Sequence, residues 1–407
     1  MNLFFIAPII ISAFLQATVS SISQNDIPLS LYVHIPWCVK KCPYCDFNSH
    51  EKNQSFDEQA YVETLLLDME SEHQHCQQRT LRSIFFGGGT PSLFSAQAIQ
   101  KIIDHARKLF GFENIEITLE ANPGTFEQEK FNGFKSAGIN RLSIGIQSFN
   151  DAHLKTLGRI HDKQQALTAI ETAKNAGFDN INLDLMFGLP QQTIQQAVTD
   201  INTACEFDVP HISHYQLTIE ENTYFHKHRP VLPDSDLLWE MQTQCQNRLA
   251  EKGYAQYEIS AYSKADRQCS HNLNYWSFAD YIGIGAGAHG KITQKDNKSG
   301  ELEIIRRWKH RQPQQYMQQA QNNNATSGQQ VLDQQDIVFE FLLNALRLKT
   351  GSDINTFKNN TGLDYPALQQ AIRNVDPDLL FLDKNRIGTT DKGFIFLNEI
   401  LEKLLDE

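Results

Sequence analysis

Six short apolar runs alternate with helix-period stretches between Leu29 and Leu217, and this alternation constrains the fold more than any other feature of the chain. Leu29 to Ile35, Ser83 to Phe86, Ile115 to Leu119, Arg141 to Ile146, Asn180 to Met186 and His211 to Leu217 read as strands. Between them Phe56 to Glu72, Ala98 to Phe110, Phe126 to Ala137, Lys163 to Ala176 and Thr193 to Glu206 read as helices, with Tyr61, Leu65 and Met69 marking one apolar face. Strands separated by helices favour parallel pairing through right-handed crossovers, so the pattern predicts an α/β fold, a partial (β/α)6 TIM-like barrel. Polar and glycine-rich residues recur at the strand C-termini, the face where such barrels place their sites.

The chain of 407 residues has room for more than that barrel. We expect an apolar N-terminal extension over 1–27, outside the fold, and the barrel over 28–265, which includes a helix from Asp234 to Lys252. A segment that carries His271 to Trp276, with a connector, over 266–332 and a small helical, winged-helix-like domain over 333–407 follow. Gln312 to Gln335, rich in Gln and Asn, reads as surface helix and connector, and a strand pair is expected around Leu379 to Thr389.

A net charge of −12 disfavours nucleic acid, and the C-terminal 75 residues carry 13 carboxylates against 8 Lys and Arg, the wrong sign for a DNA-binding wing. Seven cysteines, with Cys76, Cys205, Cys245 and Cys269 scattered, do not resemble a disulfide framework, so a reducing compartment, the cytoplasm, is expected. The apolar stretch Leu3 to Leu15 has no Lys or Arg before it and is too short to span a bilayer. A weak export signal, an arm touching the inner face of the membrane and an extension from an upstream start codon compete; the last is favoured.

Cys38, Cys42 and Cys45 stand at C-x3-C-x2-C spacing directly after the first strand. Three thiolates in one loop suit a [4Fe-4S] cluster with one iron left open, whereas a structural zinc, with His34 or His50 as fourth ligand, usually draws its ligands from two separated pairs. Gly87-Gly88-Gly89-Thr90-Pro91 ends the second strand, where backbone without side chains can approach a ligand and donate N–H groups. Glu120, Gln147 and Asp184 lie at or near the ends of consecutive strands, and Arg159 can pair a carboxylate. Read singly, each is also an ordinary cap or surface residue.

The cysteine spacing, the strand before it and Tyr44 within it resemble the radical S-adenosylmethionine (SAM) superfamily. That resemblance implies a cluster on Cys38, Cys42 and Cys45, whose electron cleaves SAM to a 5′-deoxyadenosyl radical. LYVHIPWC, GGGTP, the turn from Glu120 to Pro123, Gly145 to Phe149, Asp184 with GLP, and Tyr215-Gln216 narrow it to the oxygen-independent coproporphyrinogen III oxidase-like subgroup. By position, SAM-binding roles fall on Tyr32, Tyr44, Gly88, Gly89, Thr90, Glu120, Gln147, Arg159 and Asp184, with Gln216 a weaker candidate.

The oxidases of that subgroup have a fourth cysteine where this chain has Phe47, which puts the decarboxylase activity in doubt and leaves open whether the chain is an enzyme. His271-Asn272-Leu273-Asn274-Tyr275-Trp276 instead resembles the HNxxYW signature of heme-carrying members, with His271 expected to hold heme, Cys269 as competing ligand and His289 read as structural. The resemblance implies a cytoplasmic heme chaperone that uses a [4Fe-4S] cluster, SAM and heme. Its implied partners are heme acceptors, among them membrane-bound respiratory proteins, and an electron donor such as a flavodoxin or ferredoxin. The alternatives are a coproporphyrinogen III oxidase that attacks propionate side chains, and a zinc-bearing interaction protein without catalytic activity.

Overall fold

The structure is a computed structural model that describes residues 24–405 apart from 53–55, 77, 125–127 and 297–301. Leu3 to Leu15 lies outside the described residues, as does Phe126, the expected start of the third helix. The strands β1 (Leu29–Ile35), β2 (Leu81–Gly88), β3 (Glu116–Ala121), β4 (Arg141–Gln147), β5 (Ile181–Phe187) and β6 (His211–Gln216) pair in that order and all in parallel. The helices α1 (Glu58–His73), α2 (Ala96–Phe110), α3 (Gln128–Ser136), α4 (Lys163–Asn175) and α5 (Ile194–Glu206) alternate with them. The partial (β/α)6 barrel expected from the alternation is the fold.

Parallel strands are covered on both faces, and all seven residues of β4 are buried. The helices start where side chains replace the missing backbone acceptors: Asp162 and Gln165 form a reciprocal capping box at α4, and Thr193 and Gln196 form another at α5.

The sheet extends beyond the six strands at both edges. After α6 (Ser235–Glu251), the short strands β7 (Ala255–Gln256) and β8 (Ala261–Ser263) continue it antiparallel beyond β6. On the other edge, the helix α7 (Ser270–Trp276) leads into β9 (Asp280–Ile284), which lies parallel to β1 with Leu29 opposite Asp280 and Val33 opposite Ile284. Antiparallel β10 (His289–Lys295), β11 (Leu302–Lys309) and β12 (Thr326–Val331) follow, giving a 12-stranded sheet among the described residues. The stretch 266–332, read as a connector, therefore supplies four strands of the main sheet. Within Gln312 to Gln335 the expected helix is present at Pro313–Ala320, but Thr326–Val331 is a polar, mostly exposed edge strand. An edge strand with one neighbour tolerates that composition.

Beyond it, five helices and a three-stranded sheet of Ser352–Asp353, Arg386–Thr389 and Leu380–Leu382 enclose a second core around Phe341, Phe357, Leu342, Ile387 and Ile400. This is the small helical domain with a wing. No helix among the described residues is long and apolar enough to cross a membrane.

Candidate functional site

The cysteine loop is held by its own backbone. Trp37–Cys38 pairs in parallel with His50–Glu51, the Cys45 N–H donates to Cys42 O at 3.1 Å, and Lys41 Nζ donates to Phe47 O at 3.1 Å and Ser49 O at 3.3 Å. The Phe225 N–H donates to Pro43 O at 2.9 Å and ties the loop to the segment beyond β6. All seven cysteines are free of disulfides, and the three in this loop are half-buried.

All three line a cavity of about 410 Å³ over the C-terminal ends of β2 to β6. Tyr44, Gly88, Gly89, Thr90, Glu120, Gln147, Arg159, Asp184 and Gln216 line the same cavity, so nine of the ten SAM-site positions that the resemblance implies converge there with the three cysteines. A [4Fe-4S] cluster attaches each cysteine to a different iron, and three free thiols in one loop on one cavity wall are a donor set that fits it.

The glycine run is shaped by what stands behind it. A Cβ on Gly88, at φ +111°, would come within 2.5 Å of the His34 ring, and one on Gly89 within 2.5 Å of Trp37 O. The amides, however, are committed: Gly88 N–H donates to Glu120 Oε2 at 3.2 Å, Gly89 N–H to Ile35 O at 2.7 Å and Thr90 N–H to Trp37 O at 2.8 Å. The run thus offers close approach and not the free N–H donors expected from its composition.

Burial, then the neighbouring Asp184, pushes the Glu120 carboxyl up to about 8. Asp184 is also raised by burial, while hydrogen bonds from Ser143 Oγ at 3.0 Å and Asn182 Nδ2 at 2.8 Å act against that. Both carboxyls therefore favour a cation or a hydroxyl as partner. Arg159 donates to Gly145 O at 2.8 Å, to Asn122 Oδ1 and, at 3.6 Å, to Cys42 Sγ, bracing the cysteine loop against β4. Gln147, at φ +68°, ends β4 in a left-handed conformation and accepts from Tyr215 Oη at 2.7 Å.

Sequence reasoning missed Ser143 and Tyr215 as wall residues. Ser143, Gly145 and Gln147 share one face of β4 at two-residue spacing, the signal that could have found Ser143.

Tyr32 is not on this wall. It opens instead onto a second cavity, of about 750 Å³, lined by His34, Tyr275, Tyr281, His289, Trp308 and Arg311. The two cavities abut and share Asp46, Phe47, Gly88 and Glu120. His271 lies beneath this cavity, 1 % exposed, with Nδ1 hydrogen-bonded to Ser83 Oγ at 2.8 Å and Nε2 to Tyr275 Oη at 3.2 Å. Burial, then Arg141, pushes its ring down to about 3, so it is neutral. Cys269 is fully buried, its thiol directed to Glu116 Oε1 at 3.5 Å. His289, read as structural, is instead exposed on the second cavity's wall.

The radical SAM superfamily profile matches residues 32–204, which hold the cysteine loop and most of the first cavity's wall. A solved structure, the coproporphyrinogen III oxidase HemN of Escherichia coli, superposes with a TM-score of 0.78 at 22 % identity, over 93 % of this chain and 90 % of that one, and supports the fold. Barrel, cysteine loop and strand-end wall together define a radical SAM protein.

Two relatives narrow the class. Heme chaperone HemW of Haemophilus influenzae is 47 % identical over 93 % of this chain and 98 % of its own length. Heme chaperone HemW of Escherichia coli is 46 % identical over 93 % of this chain and 99 % of its own length. The chain belongs to the HemW family.

Proposed function

We propose that this chain is a heme chaperone that binds a [4Fe-4S] cluster, SAM and heme, and passes the heme to acceptor proteins. The reading is carried by its similarity, along nearly the whole chain, to proteins named as heme chaperones. Phe47, where the oxidases have a fourth cysteine, favours it over porphyrinogen oxidation.

Cys38, Cys42 and Cys45 would hold the cluster. When bound, cluster and SAM supply one-electron and radical chemistry. Tyr44, Gly88, Gly89, Thr90, Glu120, Gln147, Arg159 and Asp184 surround the space for SAM. Glu120, with its proton held to about 8, gives that proton up when a cation such as an ammonium arrives beside it. Tyr32 backs the glycine run, because a Cβ on Gly87 would stand 2.9 Å from its ring. His271 belongs to the heme site as the residue that holds Tyr275 in the second cavity's wall. The cytoplasm is the proposed location, with membrane-bound respiratory proteins as acceptors at the inner face and a flavodoxin or ferredoxin as electron donor.

The test is anaerobic reconstitution followed by heme titration and transfer to an apo-hemoprotein. Stoichiometric heme binding with transfer supports the reading. Conversion of coproporphyrinogen to protoporphyrinogen by the reduced, SAM-loaded protein would overturn it in favour of the oxidase.

A further inference from the structure

We propose that His289 is the iron ligand of a porphyrin site in the second cavity, with Arg311 binding the porphyrin's carboxylates. This rests on the heme reading above and goes beyond it, because it names the cavity and moves the ligand away from His271.

Three imidazoles stand in or under this cavity, and two are already committed. His34 is hydrogen-bonded through Nδ1 to Tyr32 Oη at 3.1 Å and through Nε2 to Asn48 O at 3.0 Å. His271 is bonded at both nitrogens and shielded by Tyr275. The His289 ring makes no hydrogen bond among the described residues and is exposed at the start of β10. A neutral imidazole with a free lone pair is what a heme iron needs.

The surroundings fit a flat, anionic, iron-bearing macrocycle. Trp308 stands opposite His289 in the β10–β11 register. Tyr275 and Tyr281 form an edge-to-face pair at 4.4 Å beside it, and Phe47, 57 % exposed, supplies an apolar face where a thiol would compete for iron. The nearby cations Arg306 and Lys309 are neutralised by Glu340 and by Asp68 with Glu72. Arg311 is exposed at the cavity and has no ion-pair partner among the described residues, which leaves its guanidinium for a propionate. The cavity's 750 Å³ lies within the usual size range of ligand pockets, about 300–1,000 Å³. His271 then acts through Tyr275 as a positioning residue.

The experiment titrates the full-length, cluster-reconstituted protein with ferric heme, and in parallel with heme dimethyl ester, recording the absorption and electron paramagnetic resonance spectra. Wild type is compared with His289→Ala, His289→Met, His271→Ala and Arg311→Gln, and iron content and circular dichroism verify each fold. His289→Ala should weaken heme binding at least about tenfold and lose the imidazole-ligated spectrum, with the spectrum restored by free imidazole. His289→Met should give a thioether-ligated spectrum, and His271→Ala should keep the imidazole signature. Arg311→Gln should weaken heme but leave the ester unaffected. An unchanged spectrum and affinity in His289→Ala, with the imidazole signature lost in His271→Ala, would overturn the proposal while leaving the heme reading intact. Failure of the wild type itself to bind heme would overturn both.

Discussion

At the scale of single residues, Glu120 makes the barrel's own stability depend on pH. Desolvation at its half-buried position, then the neighbouring Asp184, raises its carboxyl from the ordinary 4.5 to about 8 in the folded state. Between those values the folded state holds more protons than the unfolded state, so stability falls as pH rises through the window and levels off above it. Glu120→Gln keeps an acceptor for the Gly88 N–H and removes the titration. In cofactor-free protein, the loss of stability between pH 5 and pH 8 should shrink by on the order of a few kcal/mol in the variant, read by urea unfolding. Equal losses in variant and wild type would place the pH dependence elsewhere. Glu120, Gln147 and Asp184 were legible from sequence because each ends a strand of a regular βα repeat, where position along the repeat dictates which way a residue points. His289, Trp308 and Arg311 had no such frame. Their convergence depends on β9 docking against β1, residues about 250 positions apart, and no local periodicity reports that pairing.

At the scale of elements, that docking is secured by one buried carboxylate. Asp280, fully buried at the start of β9, accepts from Arg79 at 2.9 Å, from Lys291 Nζ at 2.7 Å and from the Thr293 N–H at 2.8 Å, so it ties β9 to β10 and to the segment before β2. Removing it strands two buried cations, and Asp280→Ala should cost about 3–5 kcal/mol in denaturant unfolding. Asp208→Ala, which deletes an exposed ion pair with Lys264, should leave the midpoint within error. A comparable small effect at both sites would mean that β9 is held by its backbone ladder alone. The six barrel strands were readable to within two or so residues because strands covered on both faces are nearly continuous apolar runs. Strand β12 was not, because all six of its positions are exposed or partly so and Gly and Gln fill half of them, a pattern that looks like a linker until its neighbour β11 is known.

At the scale of the whole molecule, the C-terminal domain braces the second cavity from behind. Its core is continuous with the sheet extension: Phe341 meets Phe278 at 6.2 Å and Phe357 at 4.9 Å. Around that contact, Asn360 Nδ2 donates to Ser277 O at 2.8 Å, the Arg347 guanidinium lies 4.4 Å from the Trp276 ring, and Arg306 is shared between Glu340 and Tyr281. These contacts fall on the segment that carries Tyr275 and Tyr281 to the cavity wall, whereas the first cavity is built from the barrel's strand ends and the cysteine loop. A cavity made inside the second core should therefore loosen one site and spare the other. Phe341→Ala should cost about 3–5 kcal/mol. Because the C-terminal domain has a hydrophobic core distinct from that of the barrel, calorimetry should show this as a lowered first transition with the barrel transition little moved. Heme affinity should fall in the same variant, while iron content after reconstitution and SAM affinity stay at wild-type values. Parallel loss of iron and heme would mean instead that the C-terminal domain supports the barrel as a whole.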